Sequence, residues 1–325
     1  MMRIAAVLAC LCAPAPALLA QQGAAFEYLF TIGGSGGVNP AQRFAAGAGR
    51  VFFGSPQPET PVISPQAVAV DREDRIWITD RGARSVHMFD LLRGKYRQIG
   101  RGAEAQLQCP SGIDVDIHGN AYVADACLGQ IFVFDQDGGC LRRLLGRAYQ
   151  AVIERPAALL VSHDLKSIYV SDPPRSRVVV LNQEGESVRE WGGADGGVRL
   201  GSPTALAVDP ENDRIMVLDS AGGRVNLFTP GGGFIRSLTW PGARTISAFT
   251  FDAETRRFFV GDSRFTVILV SEEDGTPVSA FGKAGAGLDE MRGPTGLYVD
   301  FRQRIYVTDS SGGKVLVFRH TSGRQ

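Results

Sequence analysis

Apolar and polar positions fall in short runs along this chain, and the runs return at a fixed interval. Six runs end in aspartate: Ile76-Trp77-Ile78-Thr79-Asp80, Ala121-Tyr122-Val123-Ala124-Asp125, Ile168-Tyr169-Val170-Ser171-Asp172, Ile215-Met216-Val217-Leu218-Asp219, Phe258-Phe259-Val260-Gly261-Asp262 and Ile305-Tyr306-Val307-Thr308-Asp309. Their aspartates stand 45, 47, 47, 43 and 47 residues apart. Short apolar runs bounded by turn residues predict β-strands, and a period of this length predicts a repeat architecture.

A second run precedes each of these and aligns equally well. One column holds Pro65, Pro110, Pro156, Pro203, Ile246 and Pro294. Two places on, every residue is small: Ala67, Gly112, Ala158, Ala205, Ala248 and Gly296. The next column is large and apolar: Val68, Ile113, Leu159, Leu206, Phe249 and Leu297. Small residues recurring at one site imply close backbone approach, as at the centre of a ring. A third strand follows each aspartate, at 86–89, 131–134, 178–181, 225–228, 267–270 and 315–318. A fourth ends near glycine at Ile99-Gly100, Leu145-Gly146, Trp191-Gly192 and Phe281-Gly282, with Thr239-Trp240-Pro241-Gly242 in the fourth repeat.

Four strands per repeat, six times over, predict an all-β chain folded as a six-bladed β-propeller with four antiparallel strands per blade. The expected blades are 65–100, 109–146, 155–193, 202–242, 244–282 and 293–320, within one domain spanning 21–325. The sixth repeat lacks its fourth strand. Residues 26–33 have the form of that strand, so the N-terminal strand is expected to close the ring.

Pro110-Ser111-Gly112-Ile113-Asp114-Val115-Asp116 followed by Gly119-Asn120-Ala121-Tyr122-Val123-Ala124-Asp125 resembles the NHL-repeat family. The resemblance runs through all six blades and is strongest to exported bacterial members. It implies the propeller fold. It leaves activity open, since relatives include lyases, sensor domains and platforms for RNA or protein.

Residues 1–20 read as a secretory signal peptide: Arg3, an apolar stretch over 4–12, and small residues before a cut after Ala20. Val7-Leu8-Ala9-Cys10 only loosely matches a lipoprotein signal. A periplasmic or extracellular location is therefore expected, with no transmembrane segment and a monomeric state. Of the five cysteines, Cys109, Cys127 and Cys140 would remain. Cys109 precedes the proline column and Cys127 follows Asp125 by two. In a propeller both stand at one end of one blade, which makes them a disulfide pair and leaves Cys140 free.

Lys and Arg number 34 and so do Asp and Glu, giving zero formal charge. That balance tells against a polyanion binder and makes nucleic acid an unfavoured partner. Assigned to faces, however, the charges separate. The face of the second-to-third-strand turns gathers basic residues, and the opposite face is acidic. A protein or small-ligand partner is expected on the turn face through Arg81, Arg84, Arg175, Arg177, Arg224 and Arg264. A long segment, 34–64, reaches the same face and brings Phe44, Phe52 and Phe53.

Asp80, Asp125, Asp172, Asp219, Asp262 and Asp309 are expected to be structural, each accepting amide hydrogen bonds of its turn. Arg177, Arg224 and Lys314, five places after their aspartates, are expected to bridge neighbouring turns. Asp114 stands alone in a column of Ala69, Leu160, Ala207, Thr250 and Tyr298. A carboxylate beside the ring centre must find donors or titrate higher than usual. It is either a solvated or paired group, or a ligand or ion contact together with Thr250 and Tyr298.

Relatives that cleave amidated-peptide precursors hold zinc with histidines at the channel mouth. Here His87, His118, His163 and His320 all stand away from the first strands and the second-to-third-strand turns. No catalytic residue, metal ligand or cofactor is predicted. The leading expectation is a non-catalytic binding platform; the alternative is a metal-dependent lyase or hydrolase with an ion in the channel.

Overall fold

The computed structural model describes residues 26–34, 62–144, 153–193, 198–243 and 245–321. Its strands form six four-stranded antiparallel sheets. Blade 1 is built from Pro65–Val70, Arg75–Asp80, Ser85–Asp90 and Lys95–Ile99, ordered from the centre outward. Blade 2 comprises Pro110–Val115, Ala121–Asp125, Gln130–Phe134 and Cys140–Leu144. Blade 3 comprises Leu159–Val161, Ile168–Asp172, Arg177–Leu181 and Ser187–Trp191. Blade 4 comprises Pro203–Asp209, Arg214–Asp219, Arg224–Phe228 and Phe234–Leu238. Blade 5 comprises Ile246–Asp252, Arg257–Asp262, Val267–Ser271 and Pro277–Phe281.

Blade 6 takes Pro294–Val299, Arg304–Asp309 and Lys314–His320, and its outer strand is the N-terminal Phe26–Gly33. That strand runs antiparallel to the last, from Phe26 opposite His320 to Gly33 opposite Lys314. The ring therefore closes as the repeat count requires, and Phe26 stacks on Phe281 of blade 5 at 4.3 Å.

The second strands are buried on both faces, because each blade is packed between two others. The apolar side chains gather between neighbouring blades. Blades 4 and 5, for example, share Leu218, Leu227, Trp240, Phe249 and Phe258. In the inner strands the column that begins with Pro65 pairs with the turn aspartates, and a bulge follows before Ala67, Ala205, Ala248 and Gly296. The bulge persists at Ile246, so the geometry and not proline alone sets it. Blade 3 departs from the pattern: its inner strand shortens to Leu159–Val161, although Ser171 and Ala158 still pair through the backbone.

The small-residue column sits where inner strands of neighbouring blades meet. A Cβ on Gly112 would lie 2.7 Å from the Ala158 Cα and 2.9 Å from the Ala157 carbonyl. One on Gly296 would lie 2.7 Å from the Gln66 carbonyl. Hydroxyl groups stitch the same seam, with Thr79 donating to the Ser111 carbonyl and Ser111 to the Pro156 carbonyl, each at 2.7 Å. Gly112→Ala is therefore expected to cost about 1–3 kcal/mol in denaturant unfolding, because backbone must move to admit the methyl. Gly293→Ala, with nothing within 4 Å of its Cβ, is the control and should cost nothing. Equal stabilities for the two variants would refute the crowding argument.

Candidate functional site

The six turn aspartates stand at one end of the propeller, and each is at most 1 % exposed. Their carboxylates face inward to backbone amides. Asp80 accepts from Ile63 at 2.6 Å, Ser64 at 3.0 Å and Ala83 at 2.9 Å. Asp125 accepts from Gln108, Cys109, Cys127 and Leu128. Asp219 accepts from Gly201 at 3.0 Å and Ser202 at 2.8 Å. Asp172 holds Glu154 and Arg155, Asp262 holds Arg264 and Phe265, and Asp309 holds Arg292 and Gly312. In most blades one carboxylate thus fastens the segment entering the blade. In Asp80, Asp125 and Asp309 it fastens the following turn as well. Burial works against ionisation of Asp80, but His87 and the three amides outweigh it and hold the carboxyl below its ordinary range.

The Cys109–Cys127 disulfide spans the same junction in blade 2, with Cα atoms 5.2 Å apart. Cys140 is free and half-buried on the outer strand. His87 is fully buried between Asp80, 3.2 Å from Nε2, and the Tyr96 hydroxyl, 2.8 Å from Nδ1. His163 lines the channel at the end away from the aspartate turns, and His320 packs edge-on to Phe26. The histidines do not converge. Among the described residues no three His, Cys, Asp or Glu side chains stand close enough together to hold a metal ion.

The basic residues of the turn face divide into two sets. Arg224 pairs with its own Asp219 at 3.2 Å and donates to the Arg199 carbonyl of the incoming segment. Arg177 lies between Asp172 and Glu190 of its own blade, and Lys314 donates to the Gly287 carbonyl. These three were expected to bridge neighbouring turns. The contacts seen are to their own blade or to the segment leading into it. Arg175 lies 3.5 Å from Glu154. Arg81, Arg84 and Arg264 are exposed and have no carboxylate partner among the described residues. Phe44, Phe52, Phe53, the signal segment and most of 34–64 lie outside the described residues. The ends of that long segment are anchored: Gly34 donates to the Gly313 carbonyl, Val62 is buried, and Ile63 and Ser64 bind Asp80.

Inner strands of all six blades surround a central cavity of about 1010 Å³. Asp114, Thr250 and Tyr298 all stand in its wall, as their shared column implies. Asp114 accepts from the Val115 amide at 2.9 Å and from Val161 of blade 3 at 2.8 Å. Tyr298 donates to the Val70 carbonyl of blade 1 at 3.1 Å. Burial pushes the Asp114 carboxyl up to about 6 against the pull of the two amides. Burial and the Asp114 charge together raise the Tyr298 phenol. Arg81 and Arg155 line the cavity at its aspartate-turn end.

Two further repeating features went unassigned in the sequence. Asp71, Asp116, Asp209, Asp252 and Asp300 cap the turns at the opposite end, again through amides of their own loops. On the outer strands Arg97, Arg142 and Arg236 each reach the next blade, at the Asp137 carbonyl, Gln183 and the Glu273 carbonyl. These arginines share the spacing of the turn aspartates, and that signal was available in the sequence.

A carboxyl that titrates higher in the folded chain favours folding only while it is protonated. The Asp114 contribution is present below about pH 4 and lost as pH rises through about 6. Asp114→Asn should therefore gain on the wild type between pH 4 and pH 7.5, by at most about 2–3 kcal/mol. Melting curves across that range test it, and a pH-independent difference would contradict the assignment.

No family model matches the chain. A stretch of 133 residues, 37 % of this chain, is 30 % identical to peptidylglycine alpha-amidating monooxygenase of Rattus norvegicus, and spans only 13 % of that protein's length. Among solved structures, virginiamycin B lyase from Staphylococcus aureus superposes with a TM-score of 0.58 and 13 % identity, covering 80 % of this chain and 96 % of the lyase. The nidogen/laminin complex superposes at 0.57 with 18 % identity, covering 69 % and 82 %. Likeness at this identity bears on architecture alone, and what these comparisons and the strand order establish together is a six-bladed β-propeller.

Proposed function

We propose that this chain is an exported propeller of the NHL type, of the bacterial kind, serving as a non-catalytic platform that captures an anionic partner on its aspartate-turn face. The observation that carries this reading is electrostatic. The six aspartates that would balance the face are buried on backbone amides. The exposed Arg81, Arg84 and Arg264 have no carboxylate partner among the described residues, and Arg155 stands with Arg81 at the channel mouth. A field of that sign steers an anionic surface into contact and makes its on-rate depend on salt. Segment 34–64, with Phe52 and Phe53, starts and ends on this face and would supply apolar contact. Export draws support from the pattern of residues 1–20 and from the Cys109–Cys127 disulfide.

The alternative is a lyase or hydrolase with an ion in the channel. The stretch similar to the amidating monooxygenase and the half-buried Asp114 in the channel wall favour it.

Crosslinking and mass spectrometry in the native compartment would identify the partner. Its association rate should fall with salt and fall roughly tenfold when Arg81, Arg84 and Arg264 are all changed to glutamate. An unchanged rate would remove the platform reading. A stoichiometric metal ion required for turnover would establish the alternative.

A further inference from the structure

The channel carries a chemistry that the turn-face platform does not use. At the level of Asp114 the wall is rich in hydrogen-bond acceptors and poor in donors. Each Asp114 oxygen takes one backbone amide, which leaves a lone pair on each for another donor. The Tyr298 proton is committed to the Val70 carbonyl, so its oxygen can only accept. Thr250 is 9 % exposed, lines the cavity, and its hydroxyl has no partner among the described residues. The arginines lining the cavity, Arg81 and Arg155, stand at the other end. Leu160 and Ala207 complete the same level as an apolar wall.

The half-buried Asp114 carboxylate has no cationic partner among the described residues, and partial removal from water makes an unpaired charge less favourable. An incoming ammonium group would supply the missing charge and donate to the open lone pairs of Asp114, with Thr250 and Tyr298 in the facing wall of the same channel. A hard divalent ion suits the level less well, since calcium takes six to eight oxygens. Only one carboxylate stands in this column of the wall.

We infer that the channel level of Asp114, Thr250 and Tyr298 is a binding site for the protonated amine of a small organic ligand, with its apolar body against Leu160 and Ala207. This site is separate from the turn-face platform, and either can fail without the other.

Calorimetric titration of the full chain at pH 7.5 with 2-phenylethylamine, 2-phenylethanol and calcium chloride tests the inference. The amine should bind with one-to-one stoichiometry, and the alcohol roughly tenfold more weakly, for want of a charge-assisted hydrogen bond. Asp114→Asn should weaken amine binding about tenfold or more, and Thr250→Ala by a smaller factor, on the order of threefold. Gly293→Ala, whose added methyl meets nothing within 4 Å, should leave it unchanged. Thr250→Ala and Tyr298→Phe keep the test decisive should Asp114→Asn fail to fold. Equal binding of amine and alcohol, no amine binding, or variants with wild-type affinity would overturn the site. So would stoichiometric calcium uptake that depends on Asp114 in place of amine binding.

Discussion

A buried carboxylate at the head of each blade is the contact on which this propeller depends. In blades 1 to 4 it accepts two amides from the segment that enters the blade, so the strand order of the ring is pinned where one blade hands over to the next. Hydrogen bonds to a charged acceptor are stronger than neutral ones, and burial makes leaving that acceptor unmatched costly. Blade 2 adds a covalent bond at the same junction, Cys109 to Cys127, on either side of Asp125. Blade 1 adds His87, inserted between Asp80 and Tyr96.

That device also shapes the surface. The turn aspartates are spent on amides and on Arg177 and Arg224, while the exposed Arg81, Arg84 and Arg264 meet no carboxylate among the described residues. The opposite end is held differently. There, arginines such as Arg256 and Arg304 bind carboxylates of the neighbouring blade, Asp209 and Asp74, and are largely neutralised. The two ends of the ring thus solve the same turn with different partners. Between them the inner strands approach so closely that Gly112 and Gly296 have no room for a methyl group. The channel they enclose is the space this crowding leaves, and Asp114 is the one carboxylate of its column in that wall.

Most of the architecture was legible in the sequence, because ring closure imposes one volume constraint six times. The aspartate spacing, the proline column and the small-residue column each report a position where only certain sizes or acceptors fit. The form of residues 26–33 sufficed to place the closing strand for the same reason. The site was less legible. Column membership put Asp114, Thr250 and Tyr298 in one wall, but not the Val161 amide that Asp114 takes from the next blade, since contacts across a gap depend on the twist between blades. Long side chains were harder still. Arg177, Arg224 and Lys314 select partners within a reach of several ångströms, and spacing alone does not choose between a neighbouring turn and an incoming segment. The outer Arg97, Arg142 and Arg236 repeat as regularly as the aspartates, yet their contacts lie in other blades.

Denaturant unfolding of Asp219→Asn tests most directly whether the turn aspartates hold the ring together. The substitution keeps the shape and removes the charge that Gly201, Ser202 and Arg224 share. A loss of roughly 3 kcal/mol is predicted, the cost of leaving buried donors poorly matched. Stability within about 0.5 kcal/mol of the wild type, the range of an ordinary surface change, would contradict the account.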